Sequence, residues 1–213
     1  MVTAAVKGRS AMALYSDDRS IQSHRVRFVL AEKSINVDII NISENESAAA
    51  DLAELNPYNE TPTLVDRDLL LHNAGVINDY LDERYPHPPL MPVDPVSRAR
   101  LRLVHHRILR DWFPLAEEIE NSTGRKAEKA KQQLKESIVA ANELFKQNDY
   151  LISDELSLVD CTLAPLFWRL PVYGIDLGKG GSSVQAYVKR LFSRPSFKSS
   201  LTRAEREMVL DLT

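Results

Sequence analysis

Four hydroxyl side chains, Tyr15, Ser16, Ser20 and Ser23, cluster where a short apolar run, residues 11–15, gives way to a segment of helical periodicity. A helix N-terminus carries free N–H groups and the positive end of the dipole, so it can orient a bound thiolate or lower the pKa of a thiol. Ser20 is the hydroxyl best placed for that role. The commoner use of serines at such a point is turn and cap, and Ser23 is a candidate N-cap. The one cysteine, Cys161, lies far from this loop, which excludes cysteine-dependent reductase chemistry there. A second candidate is Thr61-Pro62, immediately before the β-branched run Thr63-Leu64-Val65. Proline belongs at the first residue of a strand or on an edge, and a cis Thr61-Pro62 bond would turn the Thr61 N–H and C=O outward for an extended ligand. His105 and His106 are adjacent on a helical segment and face different ways, without a nearby cysteine or third histidine, so they do not make a zinc site.

The bulk composition narrows the classes. The chain has 213 residues, 44% hydrophobic and 27% charged, with a formal net charge of −3. That balance gives no electrostatic case for binding nucleic acid. One cysteine excludes an internal disulfide and suits a reducing cytoplasm. Residues 1–10 lack the apolar core of a signal peptide, and no run of about 18 apolar residues exists to span a membrane. Neither glycine-rich phosphate-loop spacing is present among the seven glycines. No cofactor and no metal is implied.

The elements that position these residues follow from periodicity. Residues 11–15 read as a strand. Val26, Val29 and Leu30 recur at helical spacing, with Arg25, Arg27, Glu32 and Lys33 elsewhere on the wheel. Val37–Ile42 reads as a strand, Ser47–Leu55 as an alanine-rich helix, and Thr63–Val65 with Leu69–Leu71 as a hairpin turning at Asp66-Arg67-Asp68. Val76, Ile77, Tyr80 and Leu81 mark a further helix that stops near Tyr85-Pro86. The order β-α-β-α-β-β-α suits a thioredoxin-like sheet, with right-handed crossovers among the first three strands and a hairpin at the edge.

Five prolines fall within residues 86–95, favouring an extended polyproline path. This segment reads as an interdomain linker that also offers a stiff docking surface. From Ser97 the chain is helical. Leu101, Val104, Ile108, Trp112, Leu115 and Ile119 form one apolar face, and Arg98, Arg100, Arg102, His105, His106, Arg107 and Arg110 form a basic cluster that could be solvated, with some arginines paired to Asp111, Glu117 or Glu118, or could meet an acidic partner. Pro114 is expected to kink this helix. A second helix is expected over Arg125–Gln147. Ser157 and Asp160 are spaced as a capping box for an apolar helix, Val159–Leu170, with Pro165 and Pro171 as breakers. Val184–Phe192 reads as a further helix, and Pro195–Thr213 as a surface segment ending in a charged helix.

Ser23–Lys33, Leu55-Asn56-Pro57, Thr61–Asp66, Val76-Ile77 and Tyr80–Arg84 together resemble the N-terminal domain of glutathione S-transferases, and Ser157–Asp160 resembles the capping element of that family's helical domain. The resemblance implies an α+β/α two-domain fold: a thioredoxin-like domain over 10–86, a proline-rich linker over 87–96 and an all-helical domain over 97–213. It implies a homodimer, and a glutathione site at Ser20, Thr61, Pro62 and Asn73. The family usually carries an acid-Ser pair at the start of the third helix to hold the γ-glutamyl end of glutathione. Here those positions are Asn73 and Ala74, so the site is expected to be vestigial, with Asn73 left as a helix cap. Tyr80–Val93, Leu158–Leu170 and Ala204–Met208 are similar to a bacterial branch of the family that keeps the fold but binds RNA polymerase. That similarity implies a cytoplasmic, non-catalytic regulator of the starvation response, docking on polymerase holoenzyme with its housekeeping sigma factor. Its surface would include Pro86, His87, Pro88, Pro89, Leu90, Met91, Arg98 and Arg102. The alternative is a glutathione-dependent enzyme.

Overall fold

The computed structural model describes residues 12–210; the expectations for residues 1–10 lie outside that range. In chain order the elements are β1 Ala13–Ser16, α1 Ile21–Glu32, β2 Asp38–Asn41, α2 Glu46–Leu55, β3 Thr63–Asp66, β4 Leu69–His72, α3 Ala74–Arg84, α4 Pro95–Asp111, α5 Phe113–Asn121, α6 Gly124–Ala140, α7 Leu158–Arg169, α8 Ser182–Ser193, α9 Pro195–Ser200 and α10 Arg203–Leu210. By contacts the chain divides into two units. The first runs to Pro88 and takes back Pro195–Glu207; the second holds Pro89–Arg194 and the chain from Met208. This differs from the sequence expectation of a helical domain running from 97 to the C-terminus.

The first unit is thioredoxin-like, with a four-stranded sheet in the order β2-β1-β3-β4. β1 and β2 are parallel, while β3 runs antiparallel to both β1 and β4. A parallel crossover therefore joins only the first two strands, not the first three. β1 and β3 are central and wholly buried, whereas β2 is an edge with exposed positions. The hairpin turns at Arg67, which adopts φ 60°.

α1 departs most from its sequence reading. Arg25, Arg27 and Lys33, placed away from the apolar positions of the wheel, are buried together with Ser23 and His24. Its N-cap is Ser20, whose Oγ accepts from the Ser23 N–H at 3.2 Å; the Ser23 hydroxyl instead accepts from the Asp17 N–H. Ser23 is therefore not the cap. The burial of His24 and Arg27 is explained by α9 and α10, expected to lie on the surface. Phe197 is fully buried and meets Phe28 edge-on at 5.3 Å, and Glu205 is fully buried beside His24 and Arg27.

The second unit is all helical. Asp94 caps α4, with Oδ1 accepting from Val96 and Ser97 N–H groups. α4 ends at Trp112, where Pro114 enters the first turn of α5. The buried line continues through Ala116 rather than Leu115. α6 stops at Ala140, and a short 3-10 turn over Asn142–Lys146 replaces the end of the expected longer helix. The capping box of α7 is complete: Asp160 Oδ2 accepts from the Ser157 N–H and hydroxyl at 2.8 and 2.6 Å. Pro165 does not break α7 but sits inside it. The ring removes one ladder hydrogen bond, and burial of nearly every side chain on α7 holds the helix through that loss.

Candidate functional site

Strand register gathers the glutathione-site candidates at one end of the sheet. Tyr15 pairs with Thr63, and Thr63 with His72. The loop from Ser16 to Ser20, the Thr61-Pro62 bond and Asn73 therefore all lie beyond the same strand ends. Thr61-Pro62 is cis.

Of the four hydroxyls only Ser20 keeps partial exposure. Tyr15 is buried in a cluster with Ala48, Leu52 and Val65. Ser16 is buried and its Oγ accepts from Arg27 Nη1 at 2.6 Å. Asn73 adopts φ 72°, in the left-handed region that asparagine tolerates, and its Oδ1 accepts from Gly75 and Val76 N–H groups. It is the cap of α3. Ala74 behind it is buried and has no hydroxyl. Neither position supplies a charge for a substrate ammonium or a hydroxyl for a substrate carboxylate.

The proline segment splits into an exposed and a buried half. Pro86, His87, Pro88 and Pro89 are exposed. Leu90 and Met91, expected to face a partner, are 2% and 8% exposed. Burial of apolar surface decides their direction: they wall a cavity of about 320 Å³ shared with Leu101 and Leu156 and rimmed by Asp94 and Glu155. The Leu90 carbonyl also accepts from the Leu158 N–H at 2.9 Å. Nor is the run extended; it proceeds through bends and contains a second cis bond, His87-Pro88. A hydrogen bond from Ser97 holds the Asp94 carboxyl below its ordinary pKa, a direct consequence of its capping role.

One participant went unforeseen. Lys33, at the end of α1, has a fully buried side chain. Its Nζ lies 2.7 Å from Asp82 Oδ1 and donates at 2.7 Å to the carbonyls of both Tyr85 and Pro88. Nothing beside it in sequence, between Glu32 and Ser34, marks it for burial.

On α4, Arg100, Arg102, His106, Arg107 and Arg110 are exposed and form the expected basic face. Arg98 is half-buried, and its Nε is buried without a hydrogen-bond partner among the described residues. Among the described residues Glu118 pairs with Lys126 at 2.7 Å rather than with an arginine of this face, and Asp111 reaches Arg110 at 4.0 Å. His105 turns inward to Thr162 at 2.9 Å. Among the described residues no cluster could hold a metal ion, and no helix is long and apolar enough to cross a membrane.

A thioredoxin-like unit followed by a helical unit with a Ser-Asp capping box is the architecture of glutathione S-transferases. Residues 14–89 match the glutathione S-transferase N-terminal domain and residues 101–195 the C-terminal domain. The Tau class glutathione S-transferase from mango shares the fold, with a TM-score of 0.79 at 21% identity over 97% of this chain and 100% of that one. Much nearer in sequence is the stringent starvation protein A homolog of Haemophilus ducreyi, 45% identical over 99% of both chains. The Coxiella burnetii homolog is 46% identical over 94% of this chain and 96% of its own. The chain belongs to the glutathione S-transferase family and, within it, to the stringent starvation protein A homologues.

Proposed function

We propose that this protein is a starvation- and stress-response regulator that docks, as a cytoplasmic homodimer and without catalysis, on RNA polymerase holoenzyme carrying the housekeeping sigma factor. The observation that carries the reading is the 45% identity, over nearly the whole chain, to a protein named for stringent starvation. The Asn73-Ala74 pair supports it from the other side, because it lacks the charge and hydroxyl that glutathione needs. The exposed run Pro86-His87-Pro88-Pro89 supplies a stiff, proximal surface on which little conformational entropy is lost on docking. Arg102 and the neighbouring exposed arginines of α4 add positive charge suited to an acidic partner surface.

The test is capture of polymerase holoenzyme from a bacterial lysate by the wild-type chain and by a Pro86→Ala, His87→Ala, Pro88→Ala variant of verified fold. Capture by the wild type and loss in the variant is the expected result. No capture by either overturns the reading. Retention on immobilised glutathione would then favour the glutathione-dependent enzyme that the transferase domains also allow.

A further inference from the structure

We infer that Lys33 is the positioning residue of the proline-run docking surface, holding His87 in the geometry that a partner meets. Four observations carry this. The Lys33 side chain is fully buried, yet all three donors of its ammonium have acceptors: Asp82 Oδ1 and the Tyr85 and Pro88 carbonyls, each at 2.7 Å. The two carbonyls stand on either side of Pro86 and His87, so one nitrogen ties down both ends of the exposed turn. Within Pro86–Pro89 only His87 has a backbone N–H, so the segment has almost no means of holding its own shape by hydrogen bonds. Lys33 itself is anchored, because it closes α1, its backbone N–H reaching the Val29 and Ala31 carbonyls.

A flexible cation on the surface would make a poor brace. Here burial strengthens each charge-assisted hydrogen bond, and Asp82, in the last turn of α3, supplies the counter-charge that keeps the ammonium in place. Lys33 touches no partner. It acts by presenting His87, Pro86 and Pro88 already ordered, which lowers the entropy lost on docking.

A Lys33→Met variant alone would strand the Asp82 charge and confuse positioning with stability. The informative variant is Lys33→Met with Asp82→Val, which replaces the ion pair by apolar side chains and releases the Tyr85 and Pro88 carbonyls from their shared donor. Two readouts are needed: a thermal melt to confirm the fold, and polymerase capture. Docking through the proline run is the premise of the second, so the ring resonances of His87 are also recorded, with no partner present. With wild type capturing polymerase, the folded double variant should capture at least about tenfold less and show shifted or multiple His87 signals. Equal capture by both chains overturns the assignment. If the wild type captures nothing, the docking reading fails, and the His87 spectrum still decides the clamp: an unchanged spectrum in the double variant overturns it, and a shifted one sustains Lys33 as the brace of this turn.

Discussion

The Glu205 carboxylate meets Arg27 Nη2 with both oxygens, at 2.8 and 2.7 Å, across 178 positions of sequence. Both side chains are buried, and His24 Nδ1 lies 3.3 Å from the same carboxylate. Arg27 in turn donates to Ser16 Oγ and the Asp17 carbonyl, so α10 reaches through it to the loop that precedes α1. Removing one partner of a buried pair leaves the other charge uncompensated, at about 3–5 kcal/mol. Glu205→Gln should therefore lower the unfolding free energy by about 3 kcal/mol, read from urea midpoints. Arg203→Ala, which removes an exposed partner of Glu207 on the same helix, should leave the midpoint essentially unmoved.

Asn78 on α3 is 2% exposed, and neither its Oδ1 nor its Nδ2 has a hydrogen-bond partner among the described residues. A buried amide without partners costs about 1–3 kcal/mol. Asn78→Leu, similar in branching and free of that cost, should raise the stability by about 1 kcal/mol and lift the melting temperature accordingly. A lower melting temperature would show that the amide finds partners in solution.

Asp160 carries a pH signature. Burial pushes its pKa above the ordinary 3.8, outweighing the hydrogen bonds from Ser157, Tyr187 and Leu151 that pull the other way. The folded state then holds the Asp160 proton more tightly than the unfolded chain. Its contribution to stability is complete below the ordinary value and is lost as pH rises through the folded one. Asp160→Asn removes that term. The stability of wild type relative to the variant should fall as pH is raised from about 3.5 towards 6, measured as a difference of urea midpoints at each pH. A difference that grows with pH would contradict the direction given by burial.

The sequence by itself determined the features whose physics is local. The hairpin at Asp66–Asp68, the Asn73 cap and the Ser157–Asp160 box were legible because each depends on backbone groups within a few residues of the side chain that satisfies them. The tertiary structure decided the rest. The burial of Arg27 and Lys33 could not be read from α1 alone, since a charge is buried only where counter-charges meet it, and theirs stand at Glu205 and Asp82, on other elements. Composition marked the proline run, but not that Leu90 and Met91 would turn inward while His87 stayed out. The direction of a side chain there depends on the apolar surface packed behind it, which periodicity within one segment cannot reveal.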